Sequence, residues 1–566
     1  MEFQFSRHGI PPAEQRLQRV LEILPGLTSW SLLLGMVAAV CWKPVLACIL
    51  MVSFYVYWLL RLLYTAFFTW VAYVRLSIER GTNWMQRIRR VESLSTGEAV
   101  LSAGKRRWNE HLSNWIHQRE LAMLQRAGTW PPSSRNIYHL VLFPILRESK
   151  AVVKRTLDGL LGSTFPVDRL LVILALEERA AESIKEGIRE LQHAYQGRFL
   201  DLVVLVHPDG LPGEACVKGA NTTFAAKEAA RLLHARSIPF ERVITSCFDA
   251  DTVVSPDYFA CLTYYFMVSP NRTRASFQPV PVYHNNFWEA PGFARVLETC
   301  SSFFQLFEAT NPDKLVTFSS HSMSFTALVD VGFWPVDMIS DDSAIFWKAF
   351  IHFDGRYRVI PLYVTVSMDI ATGESWWQTL LRVYRQKRRW AWGVENFAIT
   401  IRAFLSDTTI PWYDRFRYGF KLFETHVSWA TWAFLLVIYS WFSVLCSDHA
   451  LLNAVFYLKA SHITALIFTG AFLVLCTMIA LSLVLLPPHR SRSPLLDRLM
   501  HGVEWLSVPF IGIFLSALPA LEAQTRLMVG DYLERWTGQR DRRLLLEQKK
   551  SEHLELEPVT EQSVTV

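Results

Sequence analysis

Apolar residues along this chain fall into two patterns. Toward both ends they form long, nearly unbroken blocks. Leu27 to Trp42 and Val45 to Val74 are interrupted only at Lys43-Pro44, which reads as a helical hairpin long enough to cross a bilayer, its first arm near the minimum length. Further blocks run from Val427 to Cys446, from Ile463 to Leu486 and from Val503 to Leu521. In the middle the apolar runs are short: Tyr138–Phe143, Leu170–Leu174, Leu202–Val206 and Val243–Phe248. Between them lie segments of helical composition, Lys150–Leu161, Arg179–Tyr195 and Thr222–Arg236. Strands alternating with helices predict βαβ units and a parallel sheet. Such sheets bind ligands beyond the carboxyl ends of their strands. Pro144, Glu148, Glu177 and the pair Asp249 and Asp251 all fall there.

The placement of Arg and Lys gives these blocks an orientation. Arg7, Arg16 and Arg19 precede the hairpin, and Arg75, Arg80, Arg87, Arg89 and Arg90 follow it. The turn at Lys43 and the loop Ser447–His462 carry one Lys each, whereas His489-Arg490-Ser491-Arg492 is basic. This predicts a cytosolic N-terminus and a cytosolic central region. A crossing by the last block would put Arg535, Arg540, Arg542, Arg543, Lys549 and Lys550 outside, against the rule. Pro509 and Pro519 instead predict a re-entrant or interfacial hairpin and a cytosolic tail. Trp412, Tyr413, Phe416, Phe420 and Phe423 alternate with Arg415, Arg417 and Lys421, as in a helix lying in the headgroup plane.

Composition adds little beyond this. The 566 residues are 51% hydrophobic and 19% charged, so apolar residues must be segregated into blocks. A net charge of +6 is modest for the length and gives no indication of nucleic-acid binding. The eight cysteines include no CxxC pair, which predicts reduced, unligated thiols. The 21 Trp suit both membrane interfaces and sugar stacking.

Four short motifs carry the chemistry: Lys218-Gly219-Ala220-Asn221, Asp249-Ala250-Asp251, Ser340-Asp341-Asp342 and Gln386-Lys387-Arg388-Arg389-Trp390. In this order, with apolar spans on both sides, they resemble those of the membrane-embedded family 2 glycosyltransferases, the group that includes the cellulose and hyaluronan synthases. The last motif matches the Gln-x-x-Arg-Trp signature at every fixed position. The resemblance implies an α/β fold, a cytosolic glycosyltransferase A-type (Rossmann-like) domain inserted between transmembrane helices. It implies a nucleotide-sugar donor, UDP-linked in many relatives, and a saccharide or lipid-linked acceptor. It also implies Mg2+ or Mn2+ held by Asp249 and Asp251. Asp342 would be the general base, with Asp341 shaping its field, because a sugar hydroxyl must lose its proton as the new bond forms. The donor would be bound by Pro144, Glu148, Glu177, Lys218, Asp249, Gln386 and Arg389. The acceptor would be bound by Trp390, Gln278 and His321. The segment Ala371–Ser375 is similar to the loop that covers the nucleotide in relatives.

The sequence departs from that family at the front of the domain. Pro144-Ile145-Leu146-Arg147-Glu148 stands where relatives carry Pro-x-Tyr-Asn-Glu, and Glu177-Glu178 replaces an Asp pair. The expected division is an N-terminal segment 1–26, a hairpin 27–75, a helical linker 76–135, a catalytic domain 136–402, interfacial helices 403–426, a C-terminal bundle 427–525 and a tail 526–566. Two activities fit, processive polysaccharide synthesis and transfer of one sugar to a polyprenyl phosphate or glycolipid. A transporter or inert scaffold fits less well, since charges within the spans are few, Arg61 being the clearest.

Overall fold

The computed structural model describes residues 3–96, 108–128, 130–406, 409–438, 455–488 and 494–533. The end of the block Val427–Cys446, residues 447–454 of the loop expected after it, the basic residues Arg490 and Arg492, and the tail from 534 lie outside the described residues, while residues 455–462 of that loop belong to the helix Val455–Leu485.

The central region is built on one eight-stranded sheet. Its strands are β1 (Tyr138–Ile145), β2 (Leu170–Glu177), β3 (Asp201–His207), β4 (Val243–Cys247), β5 (Val253–Val254), β6 (Ala275–Val282), β7 (His321–Ser324) and β8 (Arg358–Ser367). They are ordered β3-β2-β1-β4-β7-β6-β8-β5. The first four strands are parallel, as the alternating pattern predicts, and helices cover both faces. The wholly parallel sheet, however, needs correction. β7 runs antiparallel to both β4 and β6, and β5 antiparallel to β8. β6 and β7 are not long apolar runs: they carry Ser276, Gln278, His321, Ser322 and Ser324 among apolar residues. Most of those polar groups find partners once buried: the Ser246 and Ser322 hydroxyls meet across the sheet at 2.7 Å, Ser276 meets the Tyr357 hydroxyl at 2.6 Å, and Gln278 and His321 bond to the turn at Phe318.

Helices form close to the expected positions, with one shift that matters. The helix expected from Thr222 begins at Lys218, and a further helix, Asp341–His352, begins within the third motif. Lys218, Asp341 and Asp342 therefore occupy first turns rather than loops, and Asp341 and Asp342 sit where a helix dipole favours negative charge.

Four helices are long and apolar enough to cross a membrane by length and composition: Pro12–Trp42, Pro44–Glu79, His462–Leu485 and Leu495–Val529. The first two are longer than the hairpin expected from the apolar pattern, because their other ends pack on the soluble region. Leu21 packs against Phe397 and Ala398, and Ala72 and Leu76 join the cluster around Phe303. Arg61, expected as a charge within a span, pairs with Glu424 on the helix Trp412–Ala433. That helix exposes Trp412, Tyr413, Phe416 and Phe420 while burying Tyr418, the amphipathic face that its sequence shows. It runs through the expected boundary at 426/427, and Glu395–Ser406 runs through that at 402/403.

The last apolar block is held against the soluble region at both ends. Arg295 Nε donates to Glu504 at 3.1 Å, while Tyr384 and Arg388 each donate to Glu522 at 2.6 Å. Trp505, Ile511 and Leu515 pack into the same cluster as Phe303 and Val383. Pro509 and Pro519 do not break the segment as expected. A 3₁₀ turn precedes Pro509, and a π-helical stretch, Ile511–Ala517, precedes Pro519. Such wider and tighter turns absorb the hydrogen bond that each proline cannot donate. A segment pinned in this way should present both ends on one side. With Cys41, Cys48, Cys446 and Cys476 replaced by serine, Leu495→Cys and Val529→Cys should react with an impermeant maleimide from the same face of sealed vesicles. Reaction from opposite faces would show that the segment crosses.

Candidate active site

The carboxyl rim of the sheet gathers three of the four motifs around one ammonium. Lys218 Nζ lies 2.7 Å from Asp249 Oδ1 and 3.0 and 3.1 Å from the two oxygens of Asp342. Asp249 follows β4, Lys218 opens the helix packed on β1 and β2, and Asp342 opens the helix Asp341–His352. Burial raises the cost of charge on Asp249, yet the ammonium of Lys218 and hydrogen bonds from it and Ser319 hold its carboxyl below the usual range. The charge of Arg389, from the fourth motif, acts on Asp249 in the same direction.

The glycine of the first motif permits this approach. A Cβ on Gly219 would lie 2.3 Å from the carbonyl oxygen of Pro335 and 3.0 Å from Cβ of Asp341. Any side chain there would push away the segment leading into Asp341 and Asp342. Gly219→Ala should therefore lower stability by about 1–3 kcal/mol, the usual range for overpacking. Unfolding in detergent measures the loss, and an unchanged midpoint would show that the contact yields freely.

The two neighbouring carboxylates differ sharply. Asp341 is buried, and one of its oxygens finds no hydrogen-bond partner. Burial first, and the charge of Asp342 second, push its carboxyl up to about 8. Asp342 is partly exposed and faces Lys218, and its own carbonyl accepts from the Thr317 hydroxyl at 2.7 Å. Asp251 is pushed up to about 7 by burial and by the charges of Asp249 and Asp369. Its Oδ2 accepts from the amide of Asp369 at 3.0 Å, and Arg155 pairs with Asp369 in turn.

The residues expected at the acceptor and base positions are placed differently from their neighbours. Gln278 is buried and accepts from the Phe318 amide at 2.8 Å. His321 has no exposed surface; its ring donates to the Phe318 carbonyl at 2.9 Å, and burial lowers its pKa. Both brace the turn that carries Ser319 to Asp249, so the expectation of direct sugar contact by His321 and Gln278 gives way to a supporting role. Ser320 in that turn adopts φ +61°, a strained position for a residue other than glycine, and its hydroxyl lies 2.8 Å from that of Thr252. On the donor side, Pro144 lies within β1 rather than past it. Glu148 accepts from the amides of Leu146 and Arg147 at 2.8 and 2.9 Å. Glu177 is buried between Arg179, at 3.3 Å, and His207, at 3.6 Å. These three residues line one end of the rim, with Glu148 and Glu177 already engaged by protein partners.

In the Gln386–Trp390 motif the sequence pointed to Gln386, Arg389 and Trp390, whereas the packing centres on Lys387. Its ammonium is buried 2.8 Å from Glu298 and 3.0 Å from the Ser301 hydroxyl. It also lies 3.6 Å from the centre of the Trp390 ring, a cation–π contact that covers one face of the indole. Gln386 keeps one buried oxygen without a partner. Ala371–Ser375, expected as a nucleotide cover, is folded onto the start of this helix. Its Gly373 amide donates to Thr379 at 2.9 Å, and Ser375 caps the helix through the Gln378 amide. Sequence reasoning missed Asp369, the role of Lys387, and Asn285, whose side-chain amide donates to the Asp251 carbonyl at 2.9 Å. Asp369 follows directly after β8, and a carboxylate just past a strand end was the available signal.

The donor set suits a hard cation. Among the described residues no group of three His, Cys, Asp or Glu converges to hold a metal alone. Asp249 and Asp251 are oxygen donors whose crowded charges a divalent ion would relieve, with phosphate oxygens completing the shell. The residues present therefore fit Mg2+ or Mn2+.

Comparison with known proteins bears on the same region. Residues 244–486 match the family model described as glycosyl transferase family group 2. The chain is 32% identical over 115 residues to poly-beta-1,6-N-acetyl-D-glucosamine synthase of Staphylococcus aureus, a match covering 20% of this chain and 24% of the relative. The chain thus spans about a quarter of the length of the curated relatives it matches. Among solved structures it is similar to mannosyltransferase PcManGT from Pyrobaculum calidifontis in complex with GDP-Man and Mn2+, with a TM-score of 0.38 at 17% identity, covering 64% of this chain and 97% of that one. It is also similar to S. aureus TarS 1–349 in complex with UDP-GlcNAc, with a TM-score of 0.36 at 10% identity, covering 70% and 93%.

Proposed function

Residues 244–486 match glycosyl transferase family group 2, and from that premise we propose that the chain is a membrane-bound, inverting polysaccharide synthase of that family. In this reading it uses a UDP-sugar on the cytosolic side and passes its product into the membrane. The observation that carries the reading is the Lys218 ammonium held between Asp249 and Asp342, which brings the carboxylate pair and a separate carboxylate to one point. The similarity to the S. aureus relative, a synthase of an N-acetylglucosamine polymer, supports the polymer over the single transfer and makes UDP-N-acetylglucosamine the first donor to test.

The acceptor hydroxyl oxygen attacks C1 of the donor sugar from the face opposite the nucleotide. As the new C–O bond forms, Asp342 takes the hydroxyl proton, the C1–O bond to phosphate breaks, and the nucleoside diphosphate leaves with the electron pair. Asp249 and Asp251 would hold a divalent cation, which would supply countercharge to that diphosphate. Lys218 and Arg389 add fixed positive charge on the same side. Lys218 also orients the Asp342 carboxylate, while Asp341, held protonated by burial, keeps a second negative charge away from the attacking oxygen. This arrangement supports Asp342 rather than Asp341 as the base. Trp390 would offer its uncovered face to the acceptor, with Lys387 fixing the ring.

The orientation rests on the distribution of basic residues and on the exposed aromatic face of Trp412–Ala433, both of which favour a cytosolic catalytic region.

Purified protein incubated with a panel of nucleotide sugars should release UDP from UDP-N-acetylglucosamine. EDTA, Asp249→Ala and Asp251→Ala should each lower that release about a hundredfold or more, because the leaving group loses its countercharge. Full turnover in EDTA would remove the metal from the reading.

Asp342→Asn should leave nucleotide affinity nearly intact and cut transfer on the order of a hundredfold, since a base acts in the transition state. Normal turnover in Asp342→Asn with loss in Asp341→Asn would move the base by one residue.

Trp390→Ala should shorten the product while leaving donor affinity unchanged, as size analysis of the product alongside equilibrium binding of UDP would read. A product of one added sugar in the unmutated enzyme would instead establish the single transfer.

A further inference from the structure

The mechanism above leaves one buried carboxylate unused. Glu395 follows the Gln386–Trp390 motif, at the start of the helix Glu395–Ser406, and is almost wholly enclosed. One of its oxygens accepts from the Ser340 hydroxyl at 2.7 Å, and the other from the Trp392 indole N–H at 3.0 Å. Ser340 immediately precedes Asp341 and Asp342, and Trp392 lies two residues past Trp390. Asn396, the next residue, donates to the hydroxyls of Ser340 and Ser343 at 3.1 and 3.0 Å.

A serine in front of a helix ordinarily caps it by accepting from an amide of the first turn. Ser340 stands at that position in the helix Asp341–His352 and makes no such bond. Its hydroxyl is spent on Glu395 instead. The start of the base-bearing helix is thereby fastened to another helix rather than to itself.

A buried carboxylate needs a counter-ion. Burial pushes the Glu395 carboxyl up, against the hydrogen bonds and the cation that favour its charge. That cation is Arg7, with Nη1 3.8 Å from Glu395 Oε2 and side-chain exposures of 9% and 6% for the pair. Arg7 comes from the N-terminal segment, which is docked on the soluble region by several contacts. Phe5 is buried in the cluster with Phe404. Arg402 donates to the carbonyls of Gln4 and Ser6 at 2.9 and 2.8 Å. Ser6 donates to Asp337, three residues before Ser340. The guanidinium of Arg7 also lies 4.1 Å from the Tyr532 ring, whose hydroxyl donates to Glu22 at 2.7 Å.

We propose that Glu395 is a positioning residue that sets the Asp342 carboxylate through Ser340, and that the docked N-terminal segment completes it by supplying Arg7. This rests on the reading of Asp342 as base. Loss of the Arg7 contact frees the turn at Ser340 and slows transfer, while the donor, held by other residues, binds as before.

The test compares Arg7→Gln, Glu395→Gln, Ser340→Ala and the double variant Arg7→Gln/Glu395→Gln with the full-length enzyme in detergent. UDP-N-acetylglucosamine serves as donor, UDP as the binding probe, and hydrogen exchange reports on residues 338–346. Each single variant should lower kcat on the order of tenfold, the scale on which slight misplacement of a reacting group acts. The KM for donor and the affinity for UDP should stay unchanged, and the double variant should be no slower than the slower single one. Exchange should rise in residues 338–346 and stay unchanged in β1 and β2. Arg7→Lys should keep most of the rate. Ser340→Ala removes one hydroxyl and keeps the test decisive if the charge variants misfold. Unchanged exchange at 338–346, or an unchanged kcat in Ser340→Ala and Glu395→Gln, would overturn the proposal. Asp342→Asn, run alongside, separates the two ideas. If it turns over normally the base assignment fails, whereas the exchange data alone still decide whether Glu395 holds the turn.

Discussion

Carboxylates crowded at the end of one sheet repel each other, and the Lys218 ammonium is what allows Asp249 and Asp342 to share a single neighbourhood. Nearly every local feature of the rim follows from that contact. Gly219 has no side chain because the helix bearing Lys218 must press against Pro335 and Asp341. The turn at Ser319 and Ser320 accepts backbone strain to bring a hydroxyl to Asp249. Asp341 avoids adding a further charge by being buried and protonated. A rim balanced in this way carries its own positive charge, so the carboxylates stay ordered before any ligand arrives.

The parallel half of the sheet could be read from the sequence because its strands are apolar on both faces and alternate with helices. β1 to β4 appear at the expected places, lengthened by a few residues at β1, β2 and β3. β6, β7 and β8 could not be read in the same way. Their cores include Ser276, Gln278, His321 and Ser322, which look like loop or ligand residues until the partners that only the fold supplies are known: Tyr357, the turn at Phe318 and Ser246. The misreading of His321 and Gln278 as sugar-facing has the same origin, since a polar residue near a site motif resembles a ligand contact when its burial is unknown. Lys387 shows the converse. A basic residue between two motif positions gives no sign in sequence that its partner, Glu298, waits on a different helix.

The apolar ends of the molecule follow a related economy of structure. The first two long helices are long and apolar enough to cross a membrane and also pack on the central domain, which explains why each extends beyond the apolar stretch visible in sequence. One part of each is apolar all round, and the other carries groups such as Glu22, Arg61 and Glu79 that are paired with protein partners. The segment from Leu495 to Val529 matches a spanning helix in composition, yet one part of its apolar residues is used on Phe303, Val383 and Trp392, while Leu499, Leu506 and Phe514 stay exposed. Composition alone cannot distinguish lipid from a protein surface as the partner of an apolar face.

The contact between Arg7 and the ring of Tyr532 joins residues from opposite ends of the chain. Arg7 is synthesised long before Tyr532. During synthesis the soluble region can assemble its sheet while the final helix is still unmade, as domains made early fold before later ones. The pocket around Arg7 and Glu395, however, lacks one wall until the helix Leu495–Val529 and the residues up to Tyr532 have been laid down. Completion of that pocket therefore reports that the chain is in place as far as Tyr532, and the order of synthesis ties the finished pocket to the packing of the helix before it.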